Sequence, residues 1–484
     1  MDSLESQYKY AHLSCEKREL IRVLMKKKKI ADDGAELPLS SQQQQMWIAD
    51  QIDPKDPSYN NPAAIFIKGG VDLTIVENCI NEIIRRHSIL RASFRSRGGI
   101  PYQVIHRQRM LKLKIYRLNH EDEKEKQRMC YELLNEEVNR PFDLTNDLLI
   151  RAVSIKLNEN HDYLLINFHH IVSDGWTLDI FFKEFSALYN SYSKGASSSL
   201  TEVQYQYTDY VRATSVLQSS KDLDFWEEKL KPAPHKVTFP MGNYHIESLT
   251  NKGEWKPENI SAELSKSIIQ QAAIAGSTLF NYLMASYVTL LHIYTDQIDI
   301  CVGTPYANRD KCETQKMMGY FVNTIVLRNN LDGDPTFKEI LDRVQKNAIE
   351  AYRHASVPFY KVVEIIRPER QLNGNPLFQT MLVMNNAPVD NLKIGDLEIK
   401  RVEIYPSTAR FDILMSFAET SKGIRLFINY KVQMFDETDI DRIFKDFNKL
   451  LKILATGNSN MKLSNIKKLM EGCVVNKPAK FTRS

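Results

Sequence analysis

The chain has 484 residues, of which 43% are hydrophobic and 26% charged, a composition typical of a globular protein large enough for two or more cores. Its 64 lysines and arginines nearly balance 60 aspartates and glutamates, and the net charge of +4 excludes an electrostatic case for nucleic-acid binding. The six cysteines form no CxxC pair, which argues against a zinc ribbon or a disulfide framework and indicates a reducing compartment.

Residues 1–36 are predicted to form a lead-in, either a linker or a docking segment. Within it, KRELIRVLMKKKK has the spacing of a short amphipathic helix, with Leu20, Ile21, Leu24 and Met25 on one face. The polar start lacks the apolar core of a signal peptide, and no uninterrupted apolar stretch approaches the ~20 residues of a membrane helix. These features predict a soluble, cytoplasmic protein.

Helices and strands are predicted to alternate between residues 37 and 210. Apolar residues at helical spacing in VDLTIVENCINEIIRRHS predict a helix, and a polar helix is expected at about 121–139. LLIRAVSIKLNENHDYLLINFHH predicts a β-hairpin with its turn at residues 158–160, because asparagine favours tight turns. TLDIFFKEFSALYNSYS follows as a further predicted helix.

The pattern resumes after the proline-containing stretch 231–243, which we interpret as a domain boundary. Helices are predicted at 277–295, about 336–353 and 435–454, and strands at 297–310, 378–386 and 423–435. Two comparable α/β halves fit this order better than one large sheet.

The strongest chemical signal is FHHIVSDGWT, Phe168–Thr177. Side chains alternate along a strand, so His169 and His170 are predicted to lie on opposite faces of the sheet. The SDG sequence that follows favours a turn directly after His170. Gly175 in that turn permits a close backbone approach, with its N–H directed toward a cleft.

Three interpretations of the two histidines are open. A metal site would use His170 and Asp174 with a third ligand, although no further histidine or cysteine cluster has ligand spacing. Alternatively, both histidines are satisfied inside a core. In the third interpretation His170 is an acid–base group, since imidazole titrates near neutral pH. The chain has no GxSxG, Walker, GxGxxG or HExxH motif, so the nucleophile would arrive with the substrate.

FHHIVSDGWT resembles the HHxxxDG signature of condensation domains of nonribosomal peptide synthetases. Other segments resemble that family's motifs in the same order: PLSSQQQQMWIADQ, RHSILRASF, PFDLTNDLLIRA, YTDYVRAT, FWEEKL, VGTPYANR, GYFVNTIVLR, VPFYKVVE, NPLFQTMLVMNN and TARFDILMSF. The resemblance spans about residues 38–455. Departures from the family pattern at Gln42, Gln45 and Ser88 fall at accessory positions and leave substrate preference open.

The resemblance implies an α/β fold of two chloramphenicol-acetyltransferase-like lobes in a V arrangement, with the active site in a tunnel between them. The N-terminal lobe, carrying HHIVSDG, is expected at 37–215 and the C-terminal lobe at 216–465. Residues 466–484 resemble a C-terminal linker or tail that leads to an adenylation domain.

The resemblance also implies the reaction. An acceptor amine would attack an acyl or peptidyl thioester held by a carrier protein and form an amide bond. Donor and acceptor would be carried on phosphopantetheine of partner carrier proteins, in trans or in neighbouring modules, and the chain itself would bind no cofactor, metal, nucleic acid or membrane. Two alternatives remain open: a stand-alone terminal amide synthase that releases the peptide onto a free amine, and a catalytically silent module that only docks carriers.

Residue roles follow from the same resemblance. His170 is the active-site histidine, acting as a general base or as a positioning group, and His169 packs or hydrogen-bonds behind the site. Gly175 lines the site and offers its N–H to the thioester oxyanion. Asp174 is structural and is expected to form a salt bridge with Arg309.

Three further residues are assigned to the tunnel or the substrate: Ser173, Trp176 and Asn323. For Asn323, in GYFVNT, an equally weighted alternative is an asparagine that caps a loop.

Overall fold

The computed structural model describes residues 34, 36–214, 220–234, 236–243, 250–368, 374–385, 394, 397–456 and 459–471. Its strands are β1 (Glu36–Pro38), β2 (Asn60–Lys68), β3 (Ala92–Arg97), β4 (Ile100–Ile105), β5 (Lys114–Arg117), β6 (Ile150–Asn158), β7 (His161–His169), β8 (Gly253–Asn259), β9 (Asp299–Tyr306), β10 (Asn323–Asn330), β11 (Thr380–Asn385), β12 (Glu398–Val402), β13 (Ile413–Thr420) and β14 (Gly423–Lys431). Its helices are α1 (Ser41–Ile52), α2 (Leu73–Arg86), α3 (Glu123–Asn139), α4 (Gly175–Tyr192), α5 (Tyr207–Thr214), α6 (Ser220–Leu230), α7 (Ala262–Ile274), α8 (Leu279–Thr295), α9 (Phe337–Arg353), α10 (Phe359–Ile366), α11 (Glu437–Thr456) and α12 (Leu463–Leu469). The helix expected in the lead-in, and most of the expected tail, lie outside the described residues.

The chain divides into two units, each built from more than one stretch of chain. The first contains the described residues of Met1–Gln218, Ala307–Val322 and Ala387–Pro406, and the second contains the rest. The lobes predicted from the sequence, 37–215 and 216–465, are each one continuous range. In the structure, two segments from the later half of the chain, Ala307–Val322 and Ala387–Pro406, belong to the first unit.

In the first unit, a five-stranded sheet has the order β12-β2-β7-β6-β5, and a three-stranded sheet has the order β1-β4-β3. Strand β7 lies in the middle of the larger sheet, antiparallel to both neighbours. Its even-numbered apolar residues pack with α2 and α4, while Tyr163 and Leu165 face the cluster formed with α3. Both faces of β7 are therefore covered, and this packing holds in place the strand at whose end the two histidines lie.

The second unit is a six-stranded mixed sheet in the order β10-β9-β11-β13-β14-β8. Helix α8 is buried on nearly all sides, and its polar residues Ser286 and Thr289 bond back to the carbonyls of Tyr282 and Ala285 at 2.8 Å each. Helix α11 covers the sheet with an apolar face that includes Ile440, Ile443 and Phe447, as its spacing predicts.

Several sequence predictions are confirmed here. The hairpin is present as β6 and β7, and the helices expected at 121–139, 277–295, 336–353 and 435–454 are α3, α8, α9 and α11 within a few residues at each end. Among the described residues, no single helix is long and apolar enough to span a membrane. Helices α7 and α8 reach that length and composition only when counted together, across a bend of 104°.

Candidate active site

The two histidines lie where β7 ends in a tight turn. His169 is the last residue of the strand, residues His170–Val172 form one 3₁₀ turn, and α4 begins at Gly175. Ser173 closes the turn: its backbone N–H donates to the His170 carbonyl at 3.0 Å and its hydroxyl donates to the His169 carbonyl at 3.1 Å. Ser173 is completely buried, and its hydroxyl also accepts from Asn61 Nδ2 at 3.3 Å. Its hydroxyl is thus occupied in shaping the turn.

The imidazole of His170 is half-buried, and the turn holds its Nδ1. Its Nδ1 lies 3.1 Å from the Ser173 carbonyl oxygen. A carbonyl can only accept, so in the neutral imidazole the proton is on Nδ1 and the lone pair is on Nε2. This tautomer leaves Nε2 as the nitrogen able to accept a proton.

His169 has a different environment. It is buried, its Nδ1 accepts the Ile171 N–H at 3.1 Å, and the rings of Tyr59 and Phe142 lie about it. Burial, with a smaller contribution from the neighbouring charge of His170, lowers the pKa of His169 to about 3. His169 is therefore neutral at physiological pH, and its bond to the Ile171 N–H supports the turn.

The expected ion pair between Asp174 and Arg309 is present and almost completely buried. Arg309 Nη2 lies 2.9 Å from each carboxylate oxygen of Asp174, and Nε lies 3.2 Å from Oδ2. Asp174 also caps α4, because Oδ1 accepts from the backbone N–H and the hydroxyl of Thr177 at 2.8 and 3.0 Å. The carboxylate is fully engaged and ties the start of α4 to the Ala307–Val322 segment.

Arg309 uses its remaining donors within that same segment. Nη1 donates to the carbonyls of Thr314 and Met317, and Nη2 donates to the Gly319 carbonyl at 3.3 Å. The guanidinium also lies over the Phe321 ring, 4.0 Å from its centroid. One side chain thus folds the segment around the carboxylate that caps α4.

At the start of α4, Gly175 has open space beside it. A Cβ added at Gly175 would meet no atom within 4 Å. Its N–H is one of the first-turn donors that a helix leaves without an internal partner. Trp176 next to it is 43% exposed, and its indole N–H donates to the Gln315 carbonyl at 2.8 Å. Gly175 is thus an exposed residue at the positive end of the α4 dipole, beside the turn that carries His170.

Asn323 belongs to the second unit, where it is buried at the start of β10. Its Nδ2 donates to the carbonyls of Ala355 and Val357 at 2.9 and 2.6 Å, and its Oδ1 accepts the Phe359 N–H at 3.0 Å. This is the geometry of the loop-capping alternative, since the amide is occupied by the loop before α10.

A residue that the sequence reasoning did not single out also holds the turn. Gln43 of α1 is completely buried, and its Nε2 donates to the Ile171 carbonyl at 3.2 Å. Its Oε1 accepts from the Ser40 backbone N–H at 3.0 Å and from Gln103 Nε2 at 3.3 Å. The available signal was the glutamine run of PLSSQQQQMW, but the sequence alone does not reveal which of its amides reaches a carbonyl so far along the chain.

The metal interpretation requires a third ligand beside His170 and Asp174. Within the described part of the chain, there is no group of three or more histidine, cysteine, aspartate or glutamate side chains that could hold a metal ion. Asp174, the carboxylate that the metal interpretation required, is bonded to Arg309 and Thr177.

Comparison with known proteins gives a consistent result. The condensation-domain family model matches residues 34–472. One of the linear gramicidin synthase proteins of Brevibacillus parabrevis is 35% identical over 424 residues, which cover 86% of this chain and 8% of that protein. Bacitracin synthase 1 from Bacillus licheniformis is 31% identical over 438 residues, which cover 90% of this chain and 8% of that protein. The chain thus spans only a small part of these relatives.

Solved structures share the fold. The X-domain from teicoplanin biosynthesis superposes with a TM-score of 0.80 at 21% identity, covering 89% of this chain and 97% of that one. The first condensation domain of the calcium-dependent antibiotic synthetase, in complex with a substrate analogue, superposes with a TM-score of 0.74 at 17% identity, covering 89% of this chain and 98% of that one.

Proposed function

Because the chain belongs to the condensation-domain family of nonribosomal peptide synthetases, we propose that it joins an acceptor amine to an acyl or peptidyl thioester held by a carrier protein. Condensation domains are acyltransferases that form amide bonds. The observation that carries the proposal for this chain is the 3.1 Å contact of His170 Nδ1 with the Ser173 carbonyl oxygen, which assigns the lone pair of the neutral ring to Nε2. That arrangement supplies a proton acceptor for an amine that arrives with the substrate.

In the proposed reaction the nucleophile is the amine of the acceptor. Its nitrogen attacks the thioester carbonyl carbon, the C–N bond forms, and the C–S bond of the tetrahedral intermediate then breaks. The proton lost by the attacking nitrogen passes to His170 Nε2 and is available for the departing sulfur, which leaves as the thiol of phosphopantetheine. General base catalysis typically raises a rate ~10²–10⁴-fold. Positioning alone can lower a barrier by up to ~7–11 kcal/mol. Each effect is large, so His170 is proposed to act as the general base, as the group that positions the amine, or as both.

Gly175 is proposed to stabilise the negative charge that develops on the thioester oxygen. Its N–H is at the start of α4, where the helix dipole is positive, and the open space beside it admits a substrate carbonyl. Loss of one oxyanion donor typically costs ~10²–10³-fold in rate. Trp176 and Ser173 flank this N–H, the first as an exposed indole beside the substrate and the second as the residue that shapes the turn.

His169, Asp174 and Arg309 are proposed to maintain the site without touching the reacting atoms. His169 buttresses the turn, and the Asp174–Arg309 pair fixes the start of α4. The substrates would reach the site on phosphopantetheine arms of donor and acceptor carrier proteins, so the chain would need no cofactor of its own.

The proposal is tested with purified chain, a panel of acyl and dipeptidyl thioesters on one phosphopantetheinylated carrier, and aminoacyl thioesters on a second. A parallel panel replaces the second carrier with free amino-acid amides. Amide product detected by mass spectrometry supports the proposal, and the accepted amine separates a condensation domain that takes carrier-bound acceptors from a terminal amide synthase. Binding of both carriers without any amide would overturn it in favour of a silent docking module.

A further inference from the structure

The Ala307–Val322 segment brings one side chain against His170. The ring of Tyr320 lies edge-on to the imidazole, with 6.0 Å between ring centroids and an angle of 64° between ring planes. The bond from Nδ1 to the Ser173 carbonyl holds one edge of the imidazole. The aromatic contact supplies a second restraint, so the two together define the direction of Nε2.

Resting on the proposed function, we propose that Tyr320 is a positioning residue for His170, held in place by the buried hydroxyl of Tyr207. Tyr207 Oη donates to the Tyr320 carbonyl at 2.6 Å and lies 2.9 Å from Ser40 Oγ. Because the Tyr207 proton is given to the carbonyl, the Ser40 hydroxyl donates to Tyr207 Oη. The chain of bonds runs from the N-cap of α1 to the backbone of the residue that faces His170.

The backbone on both sides of Tyr320 is fixed as well. The Gly319 N–H donates to Thr177 Oγ1 at 3.1 Å, and the Phe321 N–H donates to Asp174 Oδ2 at 3.4 Å. Residues 319–321 are therefore anchored one after another to the start of α4 and to Tyr207. Of these three, Tyr320 alone has a ring against the imidazole, since Phe321 is buried beneath Arg309.

Position 319 shows how closely the supporting ring packs. Gly319 has φ +149°, and a Cβ there would lie 2.1 Å from the Tyr207 ring. The Tyr207 ring is buried and also packs edge-on against Phe321, 4.9 Å between centroids. Tyr207 thus supports the segment through both its ring and its hydroxyl.

The kinetic test uses the donor and acceptor pair that gives the most product with the unaltered chain. Tyr320→Ala is expected to lower kcat about 10- to 100-fold with KM within about threefold, because a misdirected Nε2 weakens the chemical step and not substrate binding. Tyr320→Phe, which keeps the ring, is expected to retain kcat within about threefold. Tyr192→Ala removes another half-buried tyrosine from the same core and serves as the matched control, with kcat expected to stay at the value of the unaltered chain.

A double variant separates positioning from other roles. On a His170→Ala background, Tyr320→Ala is expected to cause no further loss, since its effect passes through the imidazole. If the two losses multiply, or if Tyr320→Ala has the kcat of the unaltered chain, the inference is overturned.

A spectroscopic test does not depend on catalysis. In ¹⁵N-histidine NMR spectra, the signals lost in His170→Ala identify the imidazole, which is expected to show the Nδ1–H tautomer in the unaltered chain and in Tyr320→Phe. Tyr320→Ala and Tyr207→Phe are expected to shift those signals toward averaged tautomers. Unchanged imidazole signals in Tyr320→Ala would overturn the inference even if no amide were ever observed, so its failure is distinguishable from failure of the proposed function.

Discussion

At the scale of single residues, two adjacent histidines have different environments because the strand ends between them. His169 is still in β7 and is enclosed by Tyr59, Phe142 and the Ile171 N–H. His170 has left the strand, and the 3₁₀ turn presents its ring to Ser173 on one side and Tyr320 on another. Burial keeps His169 neutral at physiological pH.

The buried state of His169 predicts a pH dependence of stability. Its folded pKa of about 3 lies below the unfolded value near 6.5, so the unfolded chain binds the proton first and stability falls as pH decreases through that interval. Between pH 6.5 and 5 this single group is expected to remove about 2 kcal/mol from the free energy of unfolding. His169→Asn keeps an acceptor for the Ile171 N–H but does not titrate, so urea unfolding of this variant at the two pH values should show that much less acid destabilisation. An identical pH dependence in both chains would contradict the assignment.

The Asp174–Arg309 pair predicts a loss of stability together with activity. Asp174→Ala leaves a buried guanidinium without its carboxylate and removes the cap of α4, and is expected to cost about 3–5 kcal/mol in urea unfolding and to lower the folded yield. The double variant Asp174→Ala/Arg309→Met removes the charge as well and is expected to recover part of that loss. A fully stable but inactive Asp174→Ala chain would instead indicate a direct catalytic role.

At the scale of elements, the sequence was most informative where the spacing of apolar residues and the residues that favour turns indicated the same structure. The alternation in β6 and β7 and the asparagines of the turn predicted the hairpin that carries the site. Helix α4, however, begins at Gly175, two residues before the apolar pattern starts, because Asp174 caps it. Local patterns could not predict β12 pairing with β2, or the packing of Ala307–Val322 beside α4, since both depend on contacts between residues far apart in the chain.

The packing of Ala307–Val322 predicts that Gly319 is structurally required. Gly319→Ala places a Cβ 2.1 Å from the Tyr207 ring, at a residue whose φ is positive. This overpacking is expected to lower the free energy of unfolding by about 1–3 kcal/mol, and backbone strain adds to that cost. Gly175→Ala is the matched control, because a Cβ there meets only open space and the unfolding free energy should stay within about 0.5 kcal/mol. Equal stability of the two variants in urea unfolding would show that the Tyr207 contact is not a constraint.

At the scale of the whole molecule, the order of motifs predicted both the family and the α/β fold, and both are confirmed by the family match and the superposed structures. The chain forms two units: the first contains a five-stranded and a three-stranded sheet, the second contains one six-stranded sheet, and each has its own hydrophobic core. The carriers and the amine of the proposed reaction could not be predicted from the sequence, because the relatives that it matches are many times longer and differ from it at most positions.

The proposed direct attack of an acceptor amine predicts the absence of an acyl-enzyme intermediate. When the chain is incubated with a donor thioester on its carrier and no acceptor, its intact mass is expected to remain unchanged, while the same sample forms amide once the acceptor is added. A stable mass increase equal to the donor acyl group would contradict direct transfer and would require a nucleophilic side chain.

The measurement that tests the central claim most directly is the single-turnover rate of amide formation for the unaltered chain, His170→Ala and His169→Asn. If His170 Nε2 serves the reaction and His169 only supports the turn, His170→Ala should lose about 10²–10⁴-fold in rate while His169→Asn stays within about tenfold of the unaltered chain. Amide formation by His170→Ala at the rate of the unaltered chain would contradict the account.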